Sequence, residues 1–321
     1  MSSTDNEDSG PPVIAVVGPT AAGKSDLAVD LALRLGGASA GAEVINADSM
    51  QLYRGMDIGT AKLPVAERRG IVHHLLGIWN VTETANVADH QRRARTIIDR
   101  LRAAGGTPLL VGGSGLYIRG ALDELDFPGT DPEVRARLEA ELAATGPAPL
   151  HTRLAGRDPV AAEAILPTNG RRIVRALEVI ELTGGPFTAT LPEHTSRYPC
   201  VQIGLEVPRP ELDARIEARV DRMWREGLVE EVRELAEHGL REGRTASRAL
   251  GYAQVLRFLD GEYDDATARA ETVRATRRFA RRQDSWFRRD PRIHWLPYDA
   301  PDLTDRALHL VESAAAGAPA G

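Results

Sequence analysis

The sequence predicts an α/β fold: a parallel sheet flanked by helices, with an all-helical segment inserted into the chain. Three observations predict it. The apolar run Val13-Ile14-Ala15-Val16-Val17 is followed by a glycine loop and then by Leu27, Leu31 and Leu35 at helical spacing. Apolar runs at 43–47 and 108–111 alternate with a helix-like stretch at 88–104, an order that yields parallel strands joined by right-handed crossovers. After Asp126-Phe127-Pro128-Gly129 the strand signals stop until Val201, while helix starts recur.

The loop after the first strand is Gly18-Pro19-Thr20-Ala21-Ala22-Gly23-Lys24-Ser25, a full match to G-x-x-x-x-G-K-[ST]. Its glycines let backbone N–H groups curl around phosphate oxygens, and the following helix N-terminus adds partial positive charge. Lys24 supplies a full charge, and the Ser25 hydroxyl suits a magnesium ion shared with the phosphates. Strand, loop and helix in this order point to a P-loop NTPase-like sheet that binds a di- or triphosphate. What is done with that ligand the loop leaves open.

The second strand runs into Asn46-Ala47-Asp48-Ser49-Met50-Gln51-Leu52-Tyr53. Open parallel sheets bind ligands at the carboxyl edge, which puts Asp48 in the crevice of the phosphate loop. An Asp at a strand end can also simply cap a turn. Thr20 and the segment Gly112-Gly113-Ser114-Gly115-Leu116-Tyr117, after the third strand, point into the same crevice, unless the glycines serve only tight packing.

Asp131-Pro132, Asp158-Pro159 and Thr168-Asn169-Gly170 are helix starts, with a capping side chain or an early proline. Residues 126–196 therefore read as a helical insertion between two parts of one core, 12–125 and 197–313. The second part carries a strand at Val201, helices from Glu211, Ala246 and Asp264, and a last strand at Arg292–Leu296. Residues 1–11 and 314–321 have little to bury and read as disordered.

Composition narrows the class. The chain has 321 residues, 42% of them hydrophobic, enough for a packed core. No run approaches a membrane span and no signal peptide follows Met1, so a cytoplasmic protein without a membrane partner is expected. The single cysteine, Cys200, allows no internal disulfide and sits in a strand-like run as a small buried hydrophobe. His73-His74 lacks metal-ligand spacing to the other histidines, and Trp224, Trp286 and Trp295 read as core. A net charge of −6 speaks mildly against nucleic acid, but placement speaks for it. Arginines crowd the stretch from Arg269 to Arg292, opposed there only by Glu271, Asp284 and Asp290, while Phe279, Trp286 and Phe287 can pack inward.

Taken together, these blocks resemble a family. Gly18 to Ser25, Asp48 to Tyr53, Met56-Asp57-Ile58-Gly59-Thr60-Ala61-Lys62 and Gly112 to Tyr117 are similar to segments of the bacterial tRNA dimethylallyltransferases, the tRNA isopentenyltransferase family. Arg171 to Glu178, Arg215 to Val220 and Thr276 to Phe287 continue the likeness, which covers roughly Val13 to Arg289. Ser114 and Ser285 stand where the family usually has Thr, and both keep a hydroxyl. The zinc-finger extension of many eukaryotic relatives is absent.

The resemblance implies transfer of a dimethylallyl group from dimethylallyl diphosphate to N6 of the adenosine on the 3′ side of the tRNA anticodon. It implies Mg2+ as cofactor, the tRNA anticodon stem-loop as partner, and a monomer. Gly18, Pro19, Thr20, Ala21, Ala22, Gly23, Lys24, Ser25 and Arg219 then hold the diphosphate, with Ser25 on the metal. Donors aimed at the leaving group stabilise its growing charge without reorganising. Asp48 is the base for the weakly nucleophilic amine, and Thr20 helps position the reacting ends. Asp48, Ser49, Met50, Gln51 and Ser114 hold the extruded adenosine or its neighbours. Arg171, Arg172 and Arg175, with Arg281, Arg282 and Gln283, contact tRNA. Three alternatives stay open at this point. They are a nucleotide-type kinase using ATP on the same loop, an RNA-binding NTPase switch, and a prenyltransferase acting on free adenine nucleotide. The N-K-x-D guanine-reading motif is absent, which argues against a GTPase form of the switch.

Overall fold

A computed structural model describes residues 10–187 and 194–316. Its six strands are β1 (Val13–Val17), β2 (Glu43–Asn46), β3 (His73–His74), β4 (Pro108–Gly112), β5 (Cys200–Glu206) and β6 (Ile293–Pro297). They form one sheet in the order β3-β2-β4-β1-β5-β6, every pair parallel. β1 lies in the middle and is buried on both faces, which is why its sequence is continuously apolar rather than alternating.

Alternate β1 residues feed two core layers. Ile14 and Val16 pack with Leu27, Leu31 and Ala32 of α1 (Lys24–Arg34) and with Ala307 and Val311 of α12 (Leu303–Ala315). Val13, Ala15 and Val17 join the opposite layer, with Ala94 and Ile98 of α2 (Val87–Ala103) and Ile118 of α3 (Gly115–Leu122). That layer also takes side chains of α9 (Leu228–Glu237) and α10 (Tyr252–Leu259). Each leucine fully withdrawn from water here contributes roughly 1.5–3 kcal/mol. Between these elements run α8 (Arg209–Glu226) and the long α11 (Asp265–Phe287).

The chain divides into two compact units, and the second is Glu124–Thr195. It holds α4 (Pro132–Thr145), α5 (Pro147–Arg157), α6 (Pro159–Ala164) and α7 (Gly170–Thr183) around a core of its own, with Leu138, Leu150, Leu154, Ile173 and Leu177 fully buried. The Asp131 carboxylate caps α4 by accepting from the Glu133 and Val134 amides, Asp158 caps α6 through Ala161, and Asn169 caps α7 through Arg172.

Several boundaries differ from the sequence reading. The helix expected from Ala246 is a short 3-10 turn, Ala246–Arg248, and α10 starts only at Tyr252, because Gly251 at φ +86° breaks the turn. The strand β3 and helices α5, α9 and α12 lie where the sequence reading placed no element. The expected disordered ends fall mostly outside the described residues. At their inner margins, Gly10 and Pro11 accept hydrogen bonds from the Arg102 guanidinium, and α12 continues through Ala315. Trp224, Trp286 and Trp295 are partly buried against the core, and burial pushes the Cys200 thiol pKa up.

Candidate active site

The phosphate loop leaves β1 and enters α1 through residues that take left-handed backbone angles. Gly18 sits at φ +137° and Gly23 at +103°, and Ala21 accepts +64° between them. No side chain caps α1, so its first amides stay available to an anion. Lys24 folds back to donate from Nζ to the Pro19 carbonyl at 2.7 Å, which sets its charge over the mouth of the loop. Arg215 of α8 donates to the Ala21 carbonyl at 2.8 Å and braces the loop from outside.

Asp48 follows β2 at the carboxyl edge. Its Oδ1 accepts from the Met50 amide at 2.9 Å, and no hydrogen bond among the described residues engages its second oxygen. The turn is held by Asn46, which is 4% exposed. Its Oδ1 accepts from the Asp48 amide, and its Nδ2 donates to the Asp48 and Leu75 carbonyls. Behind it, His90 Nε2 donates to the Asn46 carbonyl at 2.8 Å. Asp48 thus does cap a turn, with one oxygen to spare.

Lys24, Asp48 and Arg219 meet in one crevice of about 710 Å³, a size usual for small-molecule sites. Their electrostatics are coupled. Burial pulls the Lys24 pKa down to about 8, with Asp48 opposing the shift and Arg219 adding to it. Burial lowers Arg219 to about 10, again against the pull of Asp48 and with help from Arg222 and Arg215. Asp48 offsets the lost solvation of these two cations only in part, and a diphosphate would supply further negative charge.

Of the other expected site residues Gln51 lines the crevice, while Ser49, Met50 and Ser114 lie beside it on the adjoining loops. Ser114 Oγ accepts from the Ser49 amide at 3.2 Å and lies 3.3 Å from Ser49 Oγ, joining the β4–α3 loop to the Asp48 turn. Gln51 Nε2 donates to the Thr60 carbonyl at 3.1 Å, and Arg219 Nη2 reaches the same carbonyl at 3.3 Å. Met50 is partly buried against the core.

The two arginine clusters fare differently. Arg281 and Arg282 are exposed on α11, and Arg281 makes no ion pair among the described residues. Gln283, expected beside them at the tRNA surface, is only 5% exposed. Its Oε1 accepts from the Thr20 amide at 2.9 Å and its Nε2 donates to the Gly113 carbonyl at 2.8 Å, so it ties the phosphate loop to the β4–α3 loop instead. In the helical unit, Arg171 and Arg172 are exposed on α7. Arg175, expected to contact tRNA, is occupied with the Pro128 and Gly129 carbonyls and with the Glu178 carboxylate. The two differ for separate reasons. Gln283 follows Arg282 directly, and successive helix positions point to different sides. Arg175 shares the face of Arg171 and Arg172 but has the Pro128 and Gly129 carbonyls and Glu178 within reach.

Sequence reasoning assigned no role to Asn46 or Arg215, although both lie inside quoted blocks. Their roles come from distant partners that no local pattern names.

Comparisons with known proteins agree on one family. The IPP transferase family model matches residues 51–290. The tRNA dimethylallyltransferase of Thermobifida fusca is 76% identical over 299 residues, covering 93% of this chain and 94% of its own. That of Streptomyces avermitilis is 70% identical over 305 residues, covering 94% and 96%. Among solved structures, the full-length tRNA isopentenylpyrophosphate transferase of Bacillus halodurans superposes with a TM-score of 0.69 at 39% identity, covering 95% of this chain and 96% of that one. A eukaryotic dimethylallyltransferase acting on tRNA gives a TM-score of 0.83 at 25% identity, covering 96% and 80%.

Proposed function

The chain belongs to the IPP transferase family, and we propose that its crevice transfers a dimethylallyl group from dimethylallyl diphosphate to N6 of the adenosine 3′ to a tRNA anticodon. The observation that carries this reading is the meeting of Lys24, Arg219 and Asp48: two under-solvated cations beside a phosphate loop, with a carboxylate that has an oxygen to spare.

As the allylic C–O bond breaks, negative charge collects on the diphosphate. Lys24, Arg219 and the loop amides already face it, and fixed donors need no reorganisation as the charge grows. The lone pair of the adenine amine is delocalised into the ring, so the new C–N bond forms as a proton leaves. Asp48 takes that proton on its unengaged oxygen. Thr20 is held by Gln283 through its amide, which leaves its hydroxyl to position the reacting ends.

Magnesium fits the donor set. Ser25 offers one hard hydroxyl oxygen in the first turn of α1. No group of three His, Cys, Asp or Glu stands ready to hold a cation among the described residues, so diphosphate oxygens and water would complete its shell. When bound, the ion neutralises diphosphate charge.

The acceptor must leave its stack to enter a crevice of this kind, and Ser49, Gln51 and Ser114 offer polar atoms for its edges. Arg281, Arg282, Arg171 and Arg172 are the exposed charges we assign to RNA phosphates.

The test is incubation with Mg2+, labelled dimethylallyl diphosphate and an unmodified tRNA reading UNN codons, without ATP. Label should enter the RNA and not added AMP. ATP turnover without label transfer would instead make the loop a kinase site.

A further inference from the structure

Glu231, in the first turn of α9, is the most heavily engaged carboxylate near the crevice, and nothing above uses it. Its Oε2 accepts from the Asp57 and Ile58 amides at 3.1 and 2.7 Å, and its Oε1 accepts from the Gly59 amide at 3.1 Å. The Tyr252 hydroxyl, on a ring with no solvent exposure, donates to the same Oε1 at 2.5 Å. Three consecutive amides converging on one oxygen pair form an anion cradle, filled here by the protein's own side chain.

What the cradle holds is the turn Asp57–Ala61, and the carbonyl of that turn at Thr60 is where Arg219 and Gln51 both dock. Among the described residues neither side chain has a second strong anchor: Arg219 has this single hydrogen bond, and Gln51 adds only a 3.4 Å contact to the Ala61 carbonyl. The turn is closed from beneath as well, since a Cβ on Gly59 would lie 2.5 Å from the Tyr252 ring. Glu231 therefore acts at a distance, through backbone, on one group assigned to the diphosphate and one assigned to the base.

We infer that Glu231 is a positioning residue for the transfer reaction: it fixes the Asp57–Ala61 turn and so aims Arg219 at the leaving diphosphate and Gln51 at the acceptor. This rests on the assignment of Arg219 to diphosphate. Replacing Glu231 with Gln turns one acceptor oxygen into an NH2 that opposes an amide N–H, so the turn loosens while side-chain volume is kept.

The experiment measures binding of inorganic pyrophosphate with Mg2+ to the full chain by calorimetry, in a double-mutant cycle with thermal unfolding as the folding control. Arg219→Ala should weaken binding about 10- to 100-fold, as for loss of a hydrogen bond to a charged group. Glu231→Gln should weaken it about 3- to 10-fold in the parent and less than about 2-fold in the Arg219→Ala background, because coupled residues are not additive. Tyr252→Phe, which removes one donor and no charge, should show the same dependence on background with a smaller loss, and it carries the test if Glu231→Gln does not fold. Equal losses in both backgrounds, or a folded Glu231→Gln with parental affinity, overturn the inference while leaving Arg219 in place. An Arg219→Ala protein with unchanged affinity overturns the diphosphate assignment and this inference with it.

Discussion

The crevice at the carboxyl edge of the sheet and the helical unit Glu124–Thr195 treat charge in opposite ways. In the helical unit the buried charge is spent. Glu178 has no exposed surface, and it accepts from Arg135, Arg175 and the Asp131 amide. Burial alone would raise its pKa, but the two guanidiniums overcome that and hold the carboxyl below its usual range. In the crevice, Lys24 and Arg219 lose solvation with only partial compensation from Asp48, and one Asp48 oxygen accepts no hydrogen bond among the described residues. A paired buried charge holds a fold together. Charge left unpaired in a cavity costs stability and is kept where a ligand completes it.

The sharpest way to break this contrast is to remove Asp48. Asp48→Ala should lower the single-turnover rate of label transfer roughly 10²- to 10⁴-fold with pyrophosphate and tRNA binding retained. A variant that binds neither would make Asp48 a turn residue and nothing more. Next in size, Glu178→Ala should destabilise the helical unit by about 3–5 kcal/mol, since Arg135 and Arg175 would face each other uncompensated. Faster hydrogen exchange at Ile173 and Leu177 would report it, whereas unchanged exchange would mean the pair contributes little.

A third measurement follows from Lys24. Its pKa of about 8 in the free protein must rise when a diphosphate binds, so binding takes up a proton above that pH. Corrected for the protonation of pyrophosphate itself, affinity should be level below about pH 7 and fall by up to tenfold per unit above about 8. A flat profile through pH 9 would show that Lys24 is not in contact with the anion. The smallest effect is at the RNA surface. Arg281→Ala should reduce the salt slope of tRNA binding by about 1, whereas Arg175→Ala should leave the slope alone and cost stability.

These residues also show where local reading works. The Gly18–Ser25 loop is legible because its glycines, lysine and serine act within one turn of chain. The caps at Asp131, Asp158 and Asn169 are legible because each bonds an amide two or three residues on. The backbone partners of Gln283 and Arg175 were not legible, because they come from segments distant in the chain. Which side chains meet solvent depends on packing that the arginine-rich stretch does not encode locally. Glu231 gave no signal at all: its amides lie more than 170 positions away in the chain.

Sequence alone determined the parallel α/β class, the phosphate loop, the Asp48 turn at the sheet edge and the helical character of the inserted segment. Each follows from hydrophobic period, backbone freedom or a short-range hydrogen bond. Tertiary structure decided which charges are spent and which are left over, because pairing depends on distance through space, and segments far apart in sequence supply the partners.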